Sequence, residues 1–449
     1  MATQRFDIGE ALDEGAFTGY RVFVFALCFA LALMDGYDAQ SLGAIGPAVI
    51  QSLGLSPRDF GFVFSVGGVG VLVGTLAFGM LADRFGRRSM LLASALIFGV
   101  FSIAMAWSQS GRELTIFRFI SSIGLGGAVP NALALAAEYA PRRRRAAVVT
   151  LLWAALPAGG MIGSFAGAFF VTNYGWPSVY ALGGALPLAI MAIMWFALPE
   201  SLAFLAATGG ERGKIAAILA RVKPGIAVAP DAEFHFGEKK PPGAPFKHLF
   251  TEGRAAGTAL IWTLFFMSFC SMLTIVAWSS NMVRSAGFGL GEASAALGWF
   301  NLGSLVSSVT VGALIDRFGP FRVLTFYFAA MACVIGAAGF ALTAPFAVVC
   351  VAFVAVGFFT GGSNSGIMAL GTLFYPVPTR GTGLGWAYAW GRVGATVGPL
   401  IGGALVQGKW DAQSIYLMIG LPAVVAAVVT LVLRAARGGD IEARAPAAV

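Results

Sequence analysis

Gly79-Met-Leu-Ala-Asp83-Arg-Phe-Gly86 and Gly312-Ala-Leu-Ile-Asp316-Arg-Phe-Gly319 are nearly the same octet, written twice. The offset is 233 residues at both ends (312 − 79 and 319 − 86). Each octet closes an apolar run, the second of a series in the first case and the eighth in the other. The runs lie near 22–49, 60–82, 88–107, 113–139, 146–172 and 177–198, then near 254–281, 291–315, 322–343, 345–371, 380–407 and 412–434. About twenty apolar residues span a bilayer as a helix. The pattern therefore predicts an all-α membrane protein of twelve transmembrane helices in two six-helix pseudo-repeats. The expected domains are an N-terminal half over 1–198, a central loop over 199–253 and a C-terminal half with its tail over 254–449.

Composition points the same way. Of 449 residues, 58% are hydrophobic and only 11% charged, against about 25% charged in soluble domains. The net charge of +8 is read as loop asymmetry, not as a nucleic-acid footprint. With the first residues on the cytoplasmic side, the outer loops hold only Arg58, Arg112, Arg284 and Lys409. Arg118 and Arg392 fall within spans, and every other Lys and Arg falls on the inner side, including Arg84, Arg87, Arg88 and Arg142 to Arg145. That bias predicts both termini inside. The first apolar run is too long for a cleavable signal peptide. Leu202-Ala-Phe-Leu-Ala and Ile215-Ala-Ala-Ile-Leu-Ala in the central loop read as short interfacial helices, and the tail after Arg437 reads as disordered. Cys28, Cys270, Cys333 and Cys350 lack CxxC spacing and read as small buried hydrophobes. Two histidines, both in the central loop, offer no intramembrane metal site, and no cofactor is expected beyond a proton as coupling ion.

Repeated halves suit a secondary transporter whose site lies at their interface. The chemistry for such a site begins in the first span, at Asp35-Gly-Tyr-Asp38. Carboxylates at mid-membrane are costly and face a cavity or a partner. Three residues apart, Asp35 and Asp38 share a helix face, and two close carboxylates resist ionising together. Arg118, about 8 Å below the outer loop at 1.5 Å per residue, is within reach of Asp38 if the helices tilt. The alternative is a static ion pair. Glu138, at the inner end of its span, reads evenly as a surface ion pair or a proton exit step. Arg392, flanked by Gly391 and Gly394, presents a planar fork that matches a carboxylate; the alternative is a partner for an aspartate of the other half. Tyr37, Asn131, Asn364 and Trp386 complete the candidate binding residues, with Tyr388, Trp390, Trp153, Phe266, Phe269, Trp278, Trp299 and Phe300 as further rings able to stack or simply to pack. Asp83, with Arg84, Arg87 and Arg88, and Asp316 with Arg317, read as a gate across the half interface or as a charge cluster that fixes topology. The second octet runs into Pro320 and Phe321 rather than two arginines, which predicts a less tightly fixed turn.

Gly79-x-Leu-Ala-Asp83-Arg-x-Gly86-Arg87-Arg88 resembles the loop 2–3 signature of the major facilitator superfamily, and Pro199-Glu200-Ser201 resembles another of its features. Arg380-Gly-Thr-Gly-Leu-Gly, Gly391-Arg392-x-Gly394 and Gly398-Pro399 are similar to its span 10–11 region. Asp35-Gly-Tyr-Asp38, with Arg118, Gly124-Leu-Gly126-Gly127, Pro130-Asn131, Glu138-Tyr139 and Pro141, resembles the aromatic acid:H⁺ symporter family in particular. The resemblance implies import of a benzoate-like carboxylate with a proton across a bacterial-type inner membrane. It marks Asp35, Asp38, Asp83, Arg118, Glu138, Arg380 and Arg392 as functional. The expected partners are a small aromatic carboxylate, protons and the bilayer, with the chain working as a monomer. A sugar, polyol or other organic-anion porter of the same superfamily and a non-transporting membrane sensor are the alternatives. No nucleophile–base pair supports an enzyme.

Overall fold

The computed structural model describes residues 5–13, 18–225, 233–235, 246–251 and 253–442. Among these residues, twelve helices of 20 to 31 residues follow one another. They are α1 (Gly19–Ala44), α2 (Pro57–Phe85), α3 (Arg87–Ala106), α4 (Gly111–Tyr139), α5 (Arg145–Asn173) and α6 (Trp176–Ala197), then α7 (Ala255–Ser285), α8 (Leu290–Phe318), α9 (Pro320–Ala341), α10 (Phe346–Phe374), α11 (Val377–Gln407) and α12 (Ala412–Glu442). Eleven are long and apolar enough to cross a bilayer; α11, which carries Arg380 and Arg392, is the twelfth.

Local chemistry sets the ends. The first apolar run was expected as one span to about residue 49, but α1 stops at Ala44 and a separate helix covers Gly46–Leu53. Pro47 explains the break, because proline fits the first turn of a helix and not its interior. Ser56 and Asp59 form a reciprocal capping box at the start of α2, with Pro57 at the first helical position. The two octets end on the same backbone: Gly86 has φ 88° and ψ 155°, Gly319 φ 83° and ψ 151°, a region closed to residues with a Cβ. The second turn is thus as sharply defined as the first, fixed by Pro320 at the start of α9 and by the fully buried Phe321.

The duplication governs packing. α1 lies on α5, α2 on α4 and α3 on α6; in the same order α7 lies on α11, α8 on α10 and α9 on α12. Glycines allow backbone contact at matched crossings. A Cβ at Gly36 would stand 2.0 Å from the Leu156 carbonyl oxygen, and one at Gly394 2.3 Å from that of Phe266. Between the two sets, α2 meets α11 and α5 meets α8. One end of the bundle, here the basic end, carries Arg84, Arg87, Arg88 and Arg142 to Arg145.

At the opposite end the two sets are sealed together. Ser294 donates to the Ala44 carbonyl at 2.7 Å, Phe60 sits edge-on to Trp278 with centroids 5.4 Å apart, and a Cβ at Gly43 would lie 2.0 Å from the Val276 carbonyl oxygen. Nearer mid-depth, Ser65 donates to the Thr396 carbonyl at 2.7 Å.

The two expected interfacial helices are present as Leu202–Ala207 and Arg212–Val222. Two short parallel strands, β1 (Arg5–Asp7) and β2 (Glu233–His235), pair the chain's start with the central loop. Two expectations are corrected. The helix α12 continues past Arg437 to Glu442, while 443–449 lie outside the described residues. Cys28 and Cys270 are buried, but Cys350 is half-buried and Cys333 exposed, since a lipid-facing helix surface also accepts an apolar thiol.

Candidate functional site

The site is a cavity of about 420 Å³ between the two helix sets, in the range of small-molecule pockets. Its wall includes Asp35 and Gln40 from α1, Arg118 from α4, Trp153 from α5, Phe269 and Met272 from α7, Phe300 and Asn301 from α8, Asn364 from α10, and Tyr388 and Arg392 from α11. The lining continues past Thr150, Gly312 and Ile315, so it reaches within one turn of the basic end of α8. No cross-set hydrogen bond or ion pair closes that end among the described residues, in contrast to the sealed opposite end.

The two aspartates of α1 have different surroundings. Asp38 is buried and receives a hydrogen bond from Nη1 of Arg118, which is buried as well. This pair bridges α1 and α4. Two ions in a low-dielectric interior hold together because removing either leaves the other uncompensated. Asp35, one turn earlier, lines the cavity and accepts no hydrogen bond among the described residues. Two cations line the same cavity, Arg392 from the other set and Arg118.

Arg392 is oriented by its own helix. Its Nη2 donates to the Tyr388 hydroxyl at 2.7 Å, and its guanidinium carbon lies 5.0 Å from that ring's centroid. Nε has no partner. Tyr388 is held in turn by edge contacts with Phe269, centroids 5.4 Å apart, and Trp153, 6.0 Å apart. A cation with an unpaired donor, a carboxylate without a hydrogen bond among the described residues and a wall of rings thus line one space. This set can hold an aromatic anion by its carboxylate and its ring, and a proton on Asp35.

Several sequence candidates lie elsewhere. Tyr37 is buried between α5 and α6 and donates to the Val179 carbonyl at 2.9 Å. Asn131 is buried in α4, its amide donating to the Gly127 carbonyl at 2.8 Å. Neither lines the cavity. Trp386 points outward, about half exposed, stacked on Trp262 beside Phe246 and Trp390. That aromatic group, with Phe266, covers the outer surface near the basic end, as rings do at a membrane interface. Trp278 donates to the Pro399 carbonyl at 3.0 Å and Trp299 packs on Phe165, so both are structural.

Glu138 is not a surface group. It is buried, pairs with Arg87 at 2.7 Å, and accepts from the Ser201 hydroxyl at 2.7 Å and the Ala203 amide at 3.0 Å. Glu200 beside it accepts from the amides of Arg88 and Ser201, and Arg88 donates to the Trp195 carbonyl. Arg87 and Arg88 therefore tie the α2–α3 turn to α4 and to the chain after α6, all within the first set. Asp83 and Asp316 are exposed and form no ion pair among the described residues. Arg84 lies 5.4 Å from the Phe85 ring and Arg317 5.2 Å from that of Phe318. Arg380 reaches back to the Tyr375 carbonyl at 3.4 Å. Sequence reasoning missed Gln40 and Asn301. A polar amide inside an apolar run is the signal both carried.

The sequence model of the Major Facilitator Superfamily matches residues 28–300 and 260–448. The chain belongs to that superfamily. It is 34% identical to the gallate transporter of Pseudomonas putida over 95% of its length and 94% of the relative's. It is likewise 34% identical to the 4-hydroxybenzoate transporter PcaK of Acinetobacter baylyi, over 96% of the chain and 95% of the relative. Solved structures share the fold alone: the Escherichia coli xylose transporter XylE matches with TM-score 0.72 at 18% identity over 92% of the chain and 97% of its own. A bacterial homologue of the lysosomal transporter Spinster matches with TM-score 0.74 at 13% identity over 94% and 98%.

Proposed function

We propose that this protein imports an aromatic carboxylate together with protons, by alternating access, across the inner membrane of a bacterium. The observation that carries the reading is the convergence of Arg392, Asp35 and the rings of Tyr388, Phe269, Trp153 and Phe300 on one cavity between the helix sets. The relatives' names, gallate and 4-hydroxybenzoate transporters, support the same substrate class.

In this reading Arg392 takes the carboxylate and Asp35 carries the proton. A carboxylate anion entering the cavity adds negative charge beside Asp35, so a proton there and the substrate favour each other's binding. Asp38 and Arg118 hold α1 against α4 and supply the fixed charge around which Asp35 works. In this reading the basic end is cytoplasmic, as the Lys and Arg asymmetry supports; both termini then lie inside and the described conformation is open to the cytoplasm. Asp83, Arg84, Asp316, Arg317 and Arg380 sit on the rim of that opening and close it in the alternate state. Residues 1–198 and 254–449 move as two bodies joined by 199–253, and one chain suffices.

Uptake of labelled hydroxybenzoate by proteoliposomes, with and without an imposed pH gradient, tests the reading. Accumulation above equilibrium only with the gradient is the expected result. Accumulation of a hexose instead, or binding without accumulation, overturns it.

A further inference from the structure

Asn301 on α8 and Asn364 on α10 share an arrangement that the transport reading leaves unused. In each, the amide nitrogen donates to the backbone carbonyl four residues earlier: Asn301 Nδ2 to Leu297 at 2.8 Å, Asn364 Nδ2 to Thr360 at 3.0 Å. A backbone carbonyl only accepts, so these bonds decide which end of each amide is nitrogen. The Oδ1 atoms of both are buried and have no partner among the described residues. Both residues line the cavity. Asn301 Oδ1 lies close against Gly160 of α5, where a Cβ would come within 2.7 Å of it.

A buried acceptor without a donor is costly, and the cost is relieved when a ligand brings one. A carboxylate, which only accepts, is repelled by both oxygens and is drawn instead to the guanidinium of Arg392, whose Nε is unpaired among the described residues. The wall is therefore polar in two senses: a donor for the carboxylate on α11, and acceptors for the ring on α8 and α10. We infer that Asn301 and Asn364 are specificity-determining acceptors that read O–H or N–H donors on the ring of the bound acid and reject rings that lack them. The inference rests on the proposed aromatic-carboxylate function and assigns which feature of the ring is read. Sites built to pair a hydroxyl discriminate strongly against analogues that lack it, because their own groups are left unpaired.

The test is competition in counterflow by the full-length protein in proteoliposomes, with 4-hydroxybenzoate, 4-methoxybenzoate and benzoate as competitors. The methoxy acid keeps the ring oxygen but loses the donor and gains a methyl group, and benzoate lacks the donor without added bulk. We expect 4-hydroxybenzoate to compete at least about tenfold better than either of the others, and Asn301→Ala and Asn364→Ala each to shrink that ratio. Equal competition by the three acids at the wild-type protein overturns the inference without recourse to any variant. An undiminished ratio in both variants overturns it too. If the wild-type protein takes up none of the acids, the aromatic-carboxylate reading itself falls, and the inference with it.

Discussion

Arg392 donates to the hydroxyl of Tyr388, one turn earlier on the same helix, at 2.7 Å, and its guanidinium carbon lies 5.0 Å from that ring. The contact aims the fork into the cavity before any ligand arrives. Arg392→Lys replaces the planar fork by a point charge that cannot make two parallel bonds. Uptake KM for the aromatic acid is expected to rise on the order of tenfold or more, with Tyr388→Phe giving a smaller rise. Unchanged KM in a folded Arg392→Lys protein would remove Arg392 from the binding site.

The unequal surroundings of Asp35 and Asp38 predict unequal variants. Asp35→Asn loses no hydrogen bond formed in the structure, and neutral Asn mimics the protonated acid. It is expected to abolish uptake driven by a pH gradient while counterflow persists. Asp38→Asn leaves Arg118 buried without its counter-ion, a loss of about 3–5 kcal/mol for a broken buried pair. Thermal unfolding in detergent should drop markedly for Asp38→Asn and little for Asp35→Asn. Full gradient-driven accumulation by both variants would make the pair structural.

Gly43 lies where α1 touches α7 at the sealed end, and a Cβ there would stand 2.0 Å from the Val276 carbonyl oxygen. Gly43→Ala wedges the two sets apart on that side and so disfavours the described conformation. A cysteine at Asn281, whose amide packs against Gly46, should react faster with a thiol reagent in the Gly43→Ala background. Equal rates in both backgrounds would show that the seal tolerates the wedge.

Arg143 and Arg112 are exposed at the two ends of the bundle. With the basic end cytoplasmic, Arg112→Cys is expected to label with an impermeant reagent in intact cells and Arg143→Cys only after lysis. The Lys239–Lys240 region, an equivalent target in the central loop, lies outside the described residues. Labelling of Arg143→Cys in sealed cells would invert the topology.

The sequence alone determined the twelve apolar runs, their duplication at a 233-residue offset, and the rarity of charge within spans. These are properties of composition and periodicity, which report what a helix must bury but not which neighbour it meets. They singled out Asp35, Asp38, Arg118 and Arg392, because an ion at mid-membrane needs a reason to be there. Only the tertiary structure decided that Arg118 takes Asp38 and leaves Asp35 to the cavity. That choice depends on the depth and rotation of α4 against α1, which the packing of each helix on its other neighbours fixes. The same holds for Glu138, whose partners include Ser201, 63 residues away, and for Trp386, turned to the outer surface by the rotation of α11 while Tyr388, two residues on, faces the cavity. Asn301 shows the limit from the other side. Its burial in a membrane span was visible in the run, but the free acceptor exists only because its amide nitrogen is spent on Leu297, a geometry no one-dimensional pattern records.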